Sequence, residues 1–192
     1  MGFFETLFGR QKPVKMSPER LFAMSTAELT LRTSLDLTPA GKAGICFQGL
    51  ASGPFKQLQK ELVQLMQIAS QGGDTQARAW EDELGYKWFL MEGANFQSLV
   101  ATVHMVSQSL LEEGYGEQLL ASIFRFNDED GRPMYWIYNY KRGFFYPFVP
   151  RPDSRSHHRD NAEELHLSAA MDKELPMEKD LERWFALWDL PF

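Results

Sequence analysis

The side chains able to do chemistry are few and scattered. Histidine stands at 104, 157, 158 and 166, and the single cysteine is Cys46. His157 and His158 are adjacent, and neighbours in an extended segment point apart instead of converging on one ion. No His-x-x-x-His spacing occurs, so no metal site is predicted. Asp128-Glu129-Asp130-Gly131 begins like a calcium loop, but Arg132 and Pro133 fill the fifth and sixth places, where a ligand and a glycine belong. That stretch reads as a hairpin turn. Glu81-Asp82-Glu83 and Glu112-Glu113 sit beside turns or helix ends and read as solvated carboxylates, not as an acid–base pair. Neither a Gly-x-x-x-x-Gly-Lys-Ser/Thr phosphate loop nor a Gly-x-Ser-x-Gly elbow is present. The expectation is a protein with no catalytic residue, no metal and no cofactor.

Two segments carry residue types suited to recognition. The first runs from Tyr138 to Arg159 and opens on a dense aromatic–basic stretch, Tyr138 to Phe148. Lys141, Arg142, Arg151, Arg155 and Arg159 stand there against one acid, Asp153, in a chain whose net charge is −6. Such a patch could meet an acidic partner, a phosphate or an anionic headgroup. Tyr138 and Tyr140 are candidates for exposed strand positions beside it, with an aromatic strand packed on the core as the alternative. Arg142-Gly143-Phe144 starts like an RNA-recognition strand, but Phe145, Pro147 and Val149 break the pattern. With 26 acids against 20 bases, nucleic acid is not the expected partner. The second segment is the N-terminal amphipathic stretch, 1–16. Phe3, Phe4, Leu7 and Phe8 share one face and are followed by Arg10, Lys12 and Lys15, a pattern that suits a partner groove or a bilayer interface.

The surrounding elements must place these groups. Pro18 fits the first position of a short helical turn through Leu21 and Phe22. Leu29, Leu31, Thr33 and Leu35 alternate and predict a strand, turned by Pro39-Ala40-Gly41 into a second strand around Ile45 and Phe47. Phe55, Leu58, Leu62, Leu65, Met66 and Ala69 recur at three- and four-residue steps, predicting a helix opened by Ser52-Gly53-Pro54 and stopped by Gly72-Gly73. A hairpin is expected over Gln76–Trp80 and Tyr86–Met91, then a helix capped by Asn95 and closed by Gly114. Leu119–Phe126 and Met134–Tyr140 form the most legible hairpin, and Phe144–Val149 a further strand. A polar loop spans 150–160. Asp160–Lys173 reads as helix, with a strand as the alternative. Met177, Leu181, Trp184, Phe185 and Trp188 predict a last short helix. One α+β domain follows: an antiparallel sheet built from hairpins, with packed helices. At 192 residues it needs no staple to fold, and a single cysteine excludes an internal disulfide.

Taken in order, several stretches resemble the PspA-associated family PspAB. They are Gly2-Phe3-Phe4 with Leu7-Phe8-Gly9-Arg10 and Lys12-Pro13, Gly85-Tyr86 with Trp88, and Gln118-Leu119-Leu120. Tyr140-Lys141-Arg142-Gly143 with Phe145-Tyr146-Pro147-Phe148, Arg159-Asp160-Asn161-Ala162 and Arg183-Trp184 continue the match. The resemblance implies a link to PspA, a coiled-coil protein of phage-shock-type membrane-stress responses, and assigns no residue a role. The expected function is a non-enzymatic adaptor or regulator acting by protein contact. It would be cytoplasmic, or peripheral at the inner face of the membrane. Two alternatives stay open: a ligand-binding protein or enzyme whose pocket is assembled from distant residues, and a peripheral membrane-binding module.

Overall fold

The computed structural model describes residues 18–70, 75–151 and 157–192. Pro18–Phe22 forms a 3-10 turn that leads into α1 (Ala23–Ser34). Next come β1 (Thr38–Gln48), α2 (Gly53–Ser70) and the hairpin of β2 (Gln76–Glu81) with β3 (Tyr86–Glu92). α3 (Phe96–Glu112) precedes the meander of β4 (Leu119–Asn127), β5 (Pro133–Asn139) and β6 (Phe144–Phe148), and α4 is Asn161–Met171. The expected N-terminal helix, the Gly72-Gly73 stop and Arg155 lie outside the described residues.

The six strands form one antiparallel sheet in the order β2-β3-β1-β4-β5-β6, so the α+β architecture is as the sequence predicts. Strand side chains alternate between faces, and here both faces are buried. Phe47, Phe89, Phe124, Phe126, Trp136 and Tyr138 face the core they share with the helices. Cys46, Trp88, Leu90, Ile123, Tyr135 and Ile137 line the other face. A chain segment of little regular structure, 176–192, lies across that second face and packs Trp184, Leu187, Trp188 and Phe192 onto it. Burial on both sides explains why β4 and β5 read as nearly unbroken apolar runs. Each large side chain so buried contributes about 1.5–3 kcal/mol.

Three expectations are corrected. Glu28–Ser34 is not a strand but the second half of α1, with Leu35 just past its end: Met24, Ala27 and Leu31 are buried at helical spacing, while Leu29 is 70% exposed. Glu28 and Arg32 pair across one turn at 3.2 Å, support that a helix allows. Pro39-Ala40-Gly41 is not a turn between strands but a bulge inside β1, where Ala40 and Gly41 have no partner on β4. Pro39 is tolerated because β1 meets β3 only from Lys42 onward, so its missing N–H breaks no bond there. Gly41 adopts φ +68, and a Cβ there would come within 2.8 Å of the Gly93 carbonyl oxygen. Lastly, Met177–Trp188 is not a helix. It holds a 3-10 turn at Leu181–Arg183 and is otherwise irregular. Phe145 N–H donates to Pro176 O and Glu178 N–H to Phe145 O, both at 2.8 Å. Pairing with the sheet margin has overridden a short helix's weak intrinsic preference. Between Asp160 and Lys173 the helix prevails over the strand alternative, with Glu164, Leu167 and Met171 on its buried side.

Leu31→Ala is expected to cost about 2–5 kcal/mol in denaturant unfolding, and Leu29→Ala to stay within about 0.5 kcal/mol of wild type. A strand would put both leucines on one face and make the two costs comparable.

Candidate functional site

The segment 138–159 contains β6 and the turn before it. Tyr138 and Tyr140, expected at exposed positions, are fully buried. Tyr138 faces the helices from β5, and its ring meets those of Tyr140 and Phe145 at 5.2 and 4.8 Å. Tyr140 OH bonds Ser122 Oγ at 2.6 Å and also meets Ser107 Oγ, which donates to Val103 O at 2.7 Å. This polar cluster ties α3 to β4 inside an apolar core. Burial pushes the Tyr140 phenol up to about 12, although its two serine partners pull it back. Tyr138 is raised by the same cause. Neither tyrosine is placed to touch a partner.

The cations fare differently. Arg142 bonds Glu178 through Nε at 2.9 Å and Nη2 at 3.5 Å, and this pairing raises its pKa. Its guanidinium lies 6.0 Å from the Phe144 ring centroid, and that of exposed Arg20 lies 5.4 Å from the same ring. Lys141 is half-buried and lowered by that burial, with Glu117 acting the other way. Arg151, about half exposed, stands 3.8 Å from Asp160. Asp160 also accepts from Arg132 at 3.3 Å and caps α4 at Glu163 N–H.

Arg159 is the most committed of them. Its Nε donates to both oxygens of Glu164, at 3.0 and 2.8 Å, and its Nη1 donates to Trp184 O at 2.6 Å. The guanidinium lies 5.6 Å from the Phe148 ring centroid, while Nη2 is buried with no hydrogen-bond partner among the described residues. Glu164 is buried and accepts from Val149 N–H at 2.9 Å as well. Burial lifts its pKa, and the Val149 and Arg159 bonds offset part of that rise. Together these groups fasten the 176–192 segment: Arg159 holds it at Trp184, Arg142 at Glu178, and Arg78 at Pro191 O over 3.2 Å.

The geometry thus splits the sequence candidates. Arg142 and Arg159 are structural clips, Arg151 remains at the surface, and Arg155, Phe3, Phe4, Leu7 and Phe8 lie outside the described residues. Among the described residues, no three of His, Cys, Asp and Glu converge as metal ligands would. No described helix is long and apolar enough to cross a membrane. Cys46 is buried, and that burial raises its thiol pKa.

The family model described as PspA associated protein B matches residues 1–192. The chain belongs to the PspAB family. No curated protein and no solved structure matches it. The description of the family supports an association with PspA.

Sequence reasoning missed Glu164, Glu178 and Arg20. Glu164 could have been found, because it sits five residues beyond Arg159 and in the first turn of a predicted helix. Glu178 and Arg20 reach the segment through the tertiary fold alone. Arg159→Ala should lower stability by about 3–5 kcal/mol by leaving Glu164 buried without its cation. Arg151→Ala should change it by less than about 1 kcal/mol. Glu164 has a raised folded pKa, so its contribution is full below the ordinary carboxylate range and is lost as pH rises through the raised value. Losing Arg159 removes a lowering influence, so the Arg159→Ala deficit should be smallest in acid and grow toward neutral pH, as urea melts across pH would record.

Proposed function

We propose that this PspAB chain is a non-enzymatic adaptor in the PspA envelope-stress system, working by direct protein contact on the cytoplasmic side of the membrane. The observation that carries the reading is the family match across the whole chain, with its description as PspA-associated. The fate of the buried ionisable groups supports it. Glu164, Glu178, Tyr138 and Tyr140 are engaged in the packing and bonding of the fold.

The contact surface we assign is the margin of the sheet along β6. Arg20 and Arg142 flank Phe144 at one end of the strand, and Arg151 stands beyond the other. Arg20 and Arg151 are exposed, so their charges reach solvent while Arg142 and Arg159 hold the fold. Cations at such a rim steer an acidic partner and speed its association, and salt weakens the effect over about 8–10 Å.

Affinity capture of purified PspA by the tagged chain tests both parts. Wild type should retain PspA at low salt. Arg20→Glu combined with Arg151→Glu should weaken capture about tenfold at low salt and much less at high salt, because like charge slows encounter. Its thermal melt should match wild type. No capture of PspA by the wild-type chain would reject the adaptor reading. Unchanged capture by the folded double variant would reject this margin.

A further inference from the structure

The two margins of the sheet are finished differently. A strand at the end of a sheet leaves every second residue's backbone N–H and C=O pointing outward. On β6 and one residue past its end those residues are Phe145, Pro147 and Val149. Phe145 is paired through Pro176 and Glu178, and Pro147 has no N–H to satisfy. Val149 N–H donates to Glu164 Oε1, and Val149 O accepts from Asp160 N–H at 2.8 Å. That margin is closed at Phe145 and Val149, and Pro147 between them offers no donor.

β2 is not. Asp82 N–H donates to Tyr86 O at 3.0 Å, and the register continues as Trp80 with Trp88, Arg78 with Leu90 and Gln76 with Glu92. Alternation therefore turns the backbone groups of Ala77, Ala79 and Glu81 away from β3. No hydrogen bond from another described residue reaches them. The strand has no proline and no register shift, and residues 78–81 are exposed. α2, which packs on β2, leaves Leu65 and Ile68 exposed nearby in the chain.

We propose that β2 is a self-association edge, pairing antiparallel with β2 of a second copy about a two-fold axis at Ala79. The sequence of the strand selects both the occupant and the register. Centred on Ala79, the outward residues match one another: Ala79 meets Ala79 of the partner subunit, and Ala77 meets the partner's Glu81. About six backbone hydrogen bonds form. The same register sets Arg78 opposite the partner's Trp80 on both sides of the axis, a cation–aromatic complement. Centring the pair on Arg78 would oppose two like charges. Centring it on Trp80 would push Ala77 past the end of the strand and lose about two of the bonds. The result is one sheet continuous through two chains, with the β6 margin of each at its far ends.

Three variants test the pairing. Light scattering of wild type between about 1 and 100 µM should reach twice the monomer mass. Ala79→Pro removes an outward N–H that β3 does not use, so it should remain monomeric while melting within about 3 °C of wild type. Ala79→Cys should form an inter-chain disulfide under mild oxidation, because that register brings the two Cα atoms to about 5.5 Å. Gln76→Cys should not, since its two copies would lie about 20 Å apart. A wild type that stays monomeric throughout, an Ala79→Pro chain that dimerises like wild type, or equal cross-linking at 76 and 79 would each overturn the proposal. Should Ala79→Pro fail to fold, the cysteine pair decides. These outcomes are independent of PspA capture.

Discussion

A six-stranded sheet with apolar side chains on both faces must be covered twice, and the rest of this fold follows from that requirement. The helices cover one face, with Phe124, Phe126, Trp136 and Tyr138 packed beneath them. Among the described residues, no helix covers the other. An irregular segment does so with its indole and phenyl rings, and a segment without a hydrogen-bond ladder needs fastening from outside. Arg142, Arg159 and Arg78 supply the fastenings. Arg142 and Arg159, which stand out in the sequence, are therefore explained by packing.

The same requirement accounts for the buried carboxylates. Glu164 and Glu178 sit where the margin of β6 meets the covering segment, and each joins a backbone group to an arginine. A carboxylate in that position costs desolvation, which an arginine and a backbone N–H partly repay. Isolated charge counting over 141–159 missed this because the neutralising acids, Asp160, Glu164 and Glu178, all follow the window. Three cations of that run, Arg142, Arg151 and Arg159, stand in ion pairs in space.

Much of the fold was legible where one periodicity dominated. Both hairpins, the Asn95 cap and the amphipathic face through Phe55, Leu62 and Met66 are local signals, and local chemistry decides them. Misreadings came where two periods coincided or where tertiary partners prevailed. Leu29, Leu31, Thr33 and Leu35 alternate, yet Met24, Ala27 and Leu31 also keep helical spacing, and the latter set is the buried one. Met177 and Trp184 fit one helical stripe on paper but serve opposite faces of the sheet. The candidate site was legible as residue types and illegible as exposure. Tyr138, on β5, and Tyr140, just past its end, face the core shared with the helices, and nothing in their own segment marks that face as the covered one.

The central place of β1 has a consequence for how the chain reaches this structure. β1 lies between β3 and β4, and Thr38 is bonded to Asn127 across 89 residues of sequence. Its flanking helix and the β2–β3 hairpin can form early from local contacts, but the middle of the sheet closes only when β4 arrives. Closing so long a loop costs entropy before any contact rewards it, which makes folding slow relative to helical proteins of similar size. Until then both flanks of β1 cannot be paired at once, and an apolar strand waits beside Ile45 and Phe47 with one side open. The strand that organises the finished sheet is thus the one most in need of protection while it is being built.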